Sequence, residues 1–201
     1  MKKVSLVAAL LVLGTVAGPV LAQQSPWQVR ARAVQMDTEN NFDTTGALPA
    51  DSVRVSNKTI PEVDISYFFT PNWAAELILT YPQKHDVTLS GTKIGTFKHL
   101  PPTLLLQYHF MPEAQFSPYV GAGVNYTRLS SVDLPAGLSL ERDSFGFALQ
   151  AGVDYKLDKN WSLNLDVKKV QIRRDLDSNG TKLGTVKVDP WLVGVGVGYR
   201  F

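Results

Sequence analysis

From Trp27 onward, apolar and polar residues alternate with a period of two, the pattern of strands whose side chains point in turn to opposite faces. No stretch of this region carries the helical period. The alternation predicts eight strands. The first, Trp27 to Met36, sets Trp27, Val29, Ala31 and Ala33 against Gln28, Arg30 and Arg32. The second, Ile60 to Thr70, sets Val63, Ile65, Tyr67 and Phe69 against Glu62, Asp64 and Ser66, and Thr70-Pro71-Asn72 turns it into a third from Trp73 to Tyr81. A fourth runs from Thr103 to Phe110, a fifth from Tyr119 to Tyr126 and a sixth from Phe145 to Leu157. After the tight turn Asp158-Lys159-Asn160, the seventh sets Trp161, Leu163, Leu165 and Val167 against Ser162, Asn164, Asp166 and Lys168. The eighth spans Val186 to Phe201.

The connections fall into two groups. Those of about 23, 21, 17 and 12 residues alternate with those of three, eight and three. Short turns at one end and long loops at the other mark an up-and-down barrel of the bacterial outer membrane, whereas a soluble sandwich has no reason to segregate them. The strand ends indicate which face meets lipid. Trp27, Phe69, Trp73, Phe110, Tyr119, Tyr155, Trp161 and Phe201 fall near the turn-side rim, and Tyr81, Tyr126 and Trp191 near the other. Two aromatic girdles around a band of Val, Leu and Ala suit the two membrane interfaces and bring nothing to a soluble barrel. The inward set then carries Arg30, Arg32, Lys156, Lys168 and Arg200 against Glu62, Asp64, Glu76, Asp154 and Asp166. An eight-stranded interior is only wide enough for side chains, so these pairs plug it instead of lining a water channel. The expected fold is all-β, an eight-stranded antiparallel up-and-down transmembrane β-barrel.

Composition adds the compartment. A mean hydropathy of −0.04 excludes a polytopic helical membrane protein. Lys2 and Lys3, the apolar run Leu6 to Leu13 and the ending Val20-Leu21-Ala22 read as a signal peptide over residues 1–22, cleaved after Ala22, with the barrel occupying 23–201. Removing Lys2 and Lys3 leaves 18 basic residues against 18 acidic ones, so no charge argument for nucleic acid survives. The absence of cysteine rules out disulfides and thiolate metal sites, and His85, His99 and His109 show no metal-ligand spacing, so neither a metal nor a cofactor is expected.

Several segments together resemble the OmpW family of outer-membrane proteins over essentially the whole mature chain. They are His99-Leu100-Pro101-Pro102-Thr103, Pro118 to Tyr126, Gln150 to Tyr155, Asp189-Pro190-Trp191 and the closing Gly198-Tyr199-Arg200-Phe201. The resemblance implies a barrel that lets small hydrophobic solutes cross the lipopolysaccharide-rich outer leaflet and leave sideways through the wall. It also implies that the outer-membrane assembly machinery reads Tyr199 and Phe201. The family's hydrophobic constriction maps to Ile78 and Lys168. Lys168 stands where a large aromatic is expected, so the constriction is either displaced or built on a salt bridge with Asp166 or Glu76. Pro61, Pro82, Pro101, Pro102 and Pro190 lie in or beside strand ends on the long-loop side, where each removes a ladder donor. They either weaken the wall for a lateral opening or only terminate strands.

Two other functions were weighed. A lipid-modifying enzyme would need a nucleophile and base together, but His109 faces the lumen at the turn end, His85 and His99 belong to one outer loop, and no serine has an evident partner position, so no catalytic residue and no enzyme is expected. An adhesive or structural barrel would use the loops at 37–59 and 127–143, in which nothing is diagnostic. A closed barrel has no free edge, and a monomer is expected.

Overall fold

The computed structural model describes residues 25–39, 41–44, 53–80, 83–89, 91–100, 102–133, 138–140, 143–178 and 181–201. The leader expected over 1–22, together with Tyr81, Pro82 and Pro101, lies outside them. The first seven strands are β1 (Trp27–Asp37), β2 (Asn41–Thr44), β3 (Val53–Val55), β4 (Lys58–Phe68), β5 (Trp73–Thr80), β6 (Gln83–Leu89) and β7 (Thr92–Leu100). They are followed by β8 (Thr103–His109), β9 (Phe116–Asp133), β10 (Leu138–Leu140), β11 (Asp143–Lys156), β12 (Trp161–Val170), β13 (Arg173–Ser178), β14 (Thr181–Lys187) and β15 (Trp191–Arg200).

Eight of these close a ring in the order β1, β4, β5, β8, β9, β11, β12, β15 and back to β1, every pair antiparallel. These are the eight strands the alternation predicts. Closure pairs the backbone groups that an open sheet would leave at its edges, which lipid cannot satisfy. The apolar face points outward: Val63, Ile65, Leu104, Leu106, Leu163 and Leu165 are exposed, whereas Glu62, Asp64, Ser66, Ser162, Asn164 and Asp166 are buried in the lumen.

Two strands differ most from the sequence reading. β9 extends beyond Tyr119 and Tyr126 at both ends. The last ring strand starts at Trp191 and not Val186, because Asp189 takes a positive φ of 28° and Pro190 follows, so Thr181 to Lys187 becomes the separate strand β14. The long connections also hold structure that the sequence reading left as loops. β3, β6 and β7 extend the wall beside β9, while β10, β13, β14 and β2 form a second sheet at the loop end. An apolar cluster that includes Val55, Ile78, Val170, Ile172, Leu176, Val186 and Val188 packs where these extensions meet the barrel.

The turn-side girdle is built from edge-to-face ring pairs: Trp27 with Tyr67 at 4.8 Å, Trp73 with Tyr108 at 4.9 Å and Trp161 with Tyr199 at 5.0 Å between centroids. Tyr119 does not belong to it. It is 1% exposed and points into the lumen, and the outward aromatic at the turn end of that strand is Phe116. Parity is the reason: Tyr119 and Tyr126 are an odd number of residues apart on one uninterrupted strand, so both cannot face lipid. Gly152 makes room for the inward tyrosine, since a Cβ there would strike the Tyr119 ring.

Candidate functional site

The lumen has two halves. In the half nearer the turns, the β1–β4 register places Arg30 opposite Asp64 and Arg32 opposite Glu62. Inward parity on β1 and β4 thus becomes direct ion pairing. Arg30 forks onto Asp154, with Nη2 to Oδ2 at 2.7 Å and Nε to Oδ1 at 3.1 Å, and its Nη1 reaches Asp64 at 3.2 Å and Ser66 at 2.9 Å. Arg32 reaches Glu62 through Nε at 3.0 Å and Glu76 through Nη2 at 2.9 Å, and it also contacts Asp64. Its Nη1 lies 3.3 Å from Asp166. Lys168 on β12 donates to Glu62 at 2.7 Å and Asp166 at 2.6 Å.

Neutral side chains complete this plug. Tyr119 donates to Asp166 at 2.8 Å, and Gln150 donates to both Glu76 at 2.9 Å and Asp166 at 2.8 Å. Gln107 and Asn164 join them through Gln150 and Asp154. Arg30, Arg32, Lys168 and the five carboxylates are all at most 4% exposed. Buried charges persist only when paired and hydrogen-bonded, so the network is tied to every strand that lends it a side chain. Lys156 and Arg200, expected in this set, sit half-buried at the turn-side mouth instead. Lys156 donates to the Pro112 carbonyl, and Arg200 stacks over Phe68 at 4.0 Å while donating to the Ser25 carbonyl.

The loop half is mostly apolar. Met36, Ile60, Ile78, Val170, Ile172, Pro190 and Leu192 line a cavity of about 20 Å³, with Glu62, Lys168, Thr80, Thr103 and Asn125 among its walls. Both expected constriction residues, Ile78 and Lys168, therefore border one void. A second hollow of about 30 Å³ lies at the turn end between Gln28, Phe68, His109, Ser162 and Arg200. The two hollows share no lining residue, and the charged plug stands between them.

Three of the wall prolines are described. Pro61 faces outward on β4 opposite Ala33. Pro102 keeps its carbonyl in the wall, accepting from Tyr126 N at 3.1 Å. Pro190 is buried, and its carbonyl accepts from Val170 N at 3.2 Å. There Asp189 also accepts from Ile172 N at 2.8 Å and pairs with Arg173, so the β12–β15 seam stays joined through the proline. In the β5–β8 seam the last described pair is Ile78 opposite Thr103, and Pro102, next along the wall, has no N–H to give; the next described pair on that side is Gln83 opposite His99, where β6 meets β7.

Residues 20–201 match the OmpW family model. The chain belongs to the OmpW family. It is 36% identical over 219 residues to outer membrane protein W of Escherichia coli strain K12, covering all of both chains, and 45% identical over 190 residues to an uncharacterized outer-membrane protein, y4mB, of Sinorhizobium fredii, covering 90% of this chain and 82% of that one. A more distant relative, at 27% identity and covering 92% of this chain and 93% of its own, is the dibenzothiophene metabolism operon protein PahQ of Pseudomonas aeruginosa. The crystal structure of outer membrane protein OprG from Pseudomonas aeruginosa superposes with a TM-score of 0.75 at 30% identity, covering 89% of this chain and 97% of that one. This OmpW-family barrel resides in the bacterial outer membrane. Sequence parity finds its charged plug residues, but Tyr119, Gln107, Gln150 and Asn164 carry no charge to draw notice, and only their inward parity could have revealed them.

Proposed function

We propose that the barrel admits small hydrophobic molecules from the loop side and releases them sideways through the β5–β8 seam, acting as a channel and not as an enzyme. The observation that carries this is a blocked axis beside a wall seam in which proline replaces a ladder donor. A molecule entering the cavity beside Ile78 meets the Arg30–Arg32–Lys168 plug and cannot continue toward the turns without separating buried ion pairs. At the same level the described β5–β8 pairs end at Ile78 and Thr103, and Pro102, next in the wall, has no N–H to give. Apolar walls favour a greasy solute over water, and lipid outside the seam favours it further. The name of the PahQ relative, which ties that protein to dibenzothiophene metabolism, is in keeping with an apolar cargo.

Because the chain has no cysteine, the seam can be locked with one engineered disulfide. Leu79 and Pro102 are the next positions after the last β5–β8 pair, so Leu79→Cys with Pro102→Cys is the test. In a strain lacking the native barrel, the oxidised variant is expected to take up naphthalene no faster than cells without any barrel, and reductant is expected to restore uptake. Full cross-linking with unchanged uptake would reject the lateral route.

A further inference from the structure

The apolar half of the lumen carries a small set of hydrogen-bonding groups. Thr80 Oγ1 is buried on the cavity wall and has no hydrogen-bond partner among the described residues. Lys168, also on that wall, gives two of its three ammonium protons to Glu62 and Asp166. A buried hydroxyl without a partner favours any occupant that supplies one, and a space of about 20 Å³ seats the oxygen alone, so the hydrocarbon part of a guest enters by displacing the aliphatic side chains around it. Around them, Met36, Ile60, Ile78, Val170, Ile172 and Leu192 accept only hydrocarbon surface.

The charge surroundings restrict which polar group is welcome. The lumen buries three cations, Arg30, Arg32 and Lys168, against five carboxylates, Glu62, Asp64, Glu76, Asp154 and Asp166. Glu62 lines the cavity itself. An incoming carboxylate would add to this excess, whereas a neutral oxygen would not.

We infer that the cavity selects small apolar molecules bearing one neutral oxygen, alcohols and phenols, over plain hydrocarbons and over carboxylates, with the Thr80 hydroxyl and the Lys168 ammonium reading that oxygen. This rests on the transport reading above and names its substrate class. Thr80 is the specificity-determining residue, because its hydroxyl makes no bond within the wall that a substitution would sacrifice.

The experiment compares uptake of naphthalene, 1-naphthol and 1-naphthoate by a strain lacking the native barrel that expresses either wild type or Thr80→Val. The valine variant is nearly isosteric, and its urea midpoint is measured alongside to show that it is folded. Wild type is expected to take up 1-naphthol about tenfold faster than either companion, the factor carried by one hydrogen bond, and Thr80→Val to take up 1-naphthol no faster than naphthalene. Entry of naphthalene with no advantage for 1-naphthol, or an advantage that survives in Thr80→Val, overturns the inference and leaves the transport reading standing. No probe entering faster than in cells without the barrel overturns both.

Discussion

On the turn side of Glu62 the lumen is filled by ion pairs, in which Arg30 alone touches Asp64, Glu76 and Asp154, whereas on the loop side Met36, Ile60, Ile78 and Leu192 surround a void. The same eight strands build both halves. What differs is how tightly each filling binds the wall. A buried charge must have its partners, so the plug couples β1, β4, β5, β11 and β12 to one another. Aliphatic contacts are interchangeable and tolerate a change of shape. On the proposed function the difference divides the labour: one half keeps the cylinder shut, and the other takes the guest. At the wall prolines, Asp189 joins the β12–β15 seam beside Pro190, whereas Pro102 follows the last described β5–β8 pair with no N–H of its own.

The largest effect is expected from Arg32→Ala, which leaves Glu62, Asp64, Glu76 and Asp166 to share only Arg30 and Lys168. Urea unfolding in phospholipid should show a loss of about 3–5 kcal/mol, and a loss below about 1 kcal/mol would show that the plug does not hold the wall. Ile78→Trp tests the other half. It should cost only about 1–3 kcal/mol for overpacking, yet bring naphthalene uptake to the level of cells without the barrel. Uptake equal to wild type would mean that the cavity is not on the route.

A smaller change is expected from Pro102→Ala, which restores an N–H beside the last described β5–β8 pair. Uptake should fall by a factor of about 2 to 10, the shift from one added hydrogen bond, with folding stability unchanged or slightly raised. An increase in uptake would contradict the weakened-seam account. The smallest effect belongs to the turn. Asp158 accepts from Asn160 N at 2.8 Å and Trp161 N at 2.7 Å, and these backbone donors hold its carboxyl below the ordinary value. A depressed folded pKa adds stability that is complete above the unfolded value and fades as pH falls through the folded one. The gap in urea midpoint between wild type and Asp158→Asn should therefore be present at about pH 7 and vanish near about pH 2. A gap independent of pH would rule out the charge as its source.

The ring was legible because lipid outside and charge inside impose opposite demands on alternate residues, as Val63, Ile65 and Tyr67 against Glu62, Asp64 and Ser66 demonstrate. The loop-end strands were not. β6 and β13 lie where no lipid requires one side to be greasy, and Lys84, His85 and Asp86 or Arg173, Arg174 and Asp175 run as polar triplets without alternation. Members of the plug could be listed from parity, but their pairing depends on register, which fixes Arg30 against Asp64 and cannot be read from either strand alone. The seam shows the same limit: the sequence places Pro102 at a strand end, and only the pairing shows that it follows the Ile78–Thr103 pair of the β5–β8 ladder. Thr80 had no distinguishing mark at all, since its importance lies in what it lacks.

At the turn-side rim, Ser25 N donates to Phe201 O at 2.7 Å, and Gln28 to Asp37 pair along β15 from Arg200 to Trp191. The strand latest in sequence order thus seals against the earliest. Until those two meet, the other strands form a sheet with two raw edges, so the cylinder cannot close progressively along the chain. Their adjacency also means that a link from β15 to β1, with a cut at one turn, would reorder the strands without redrawing the ring.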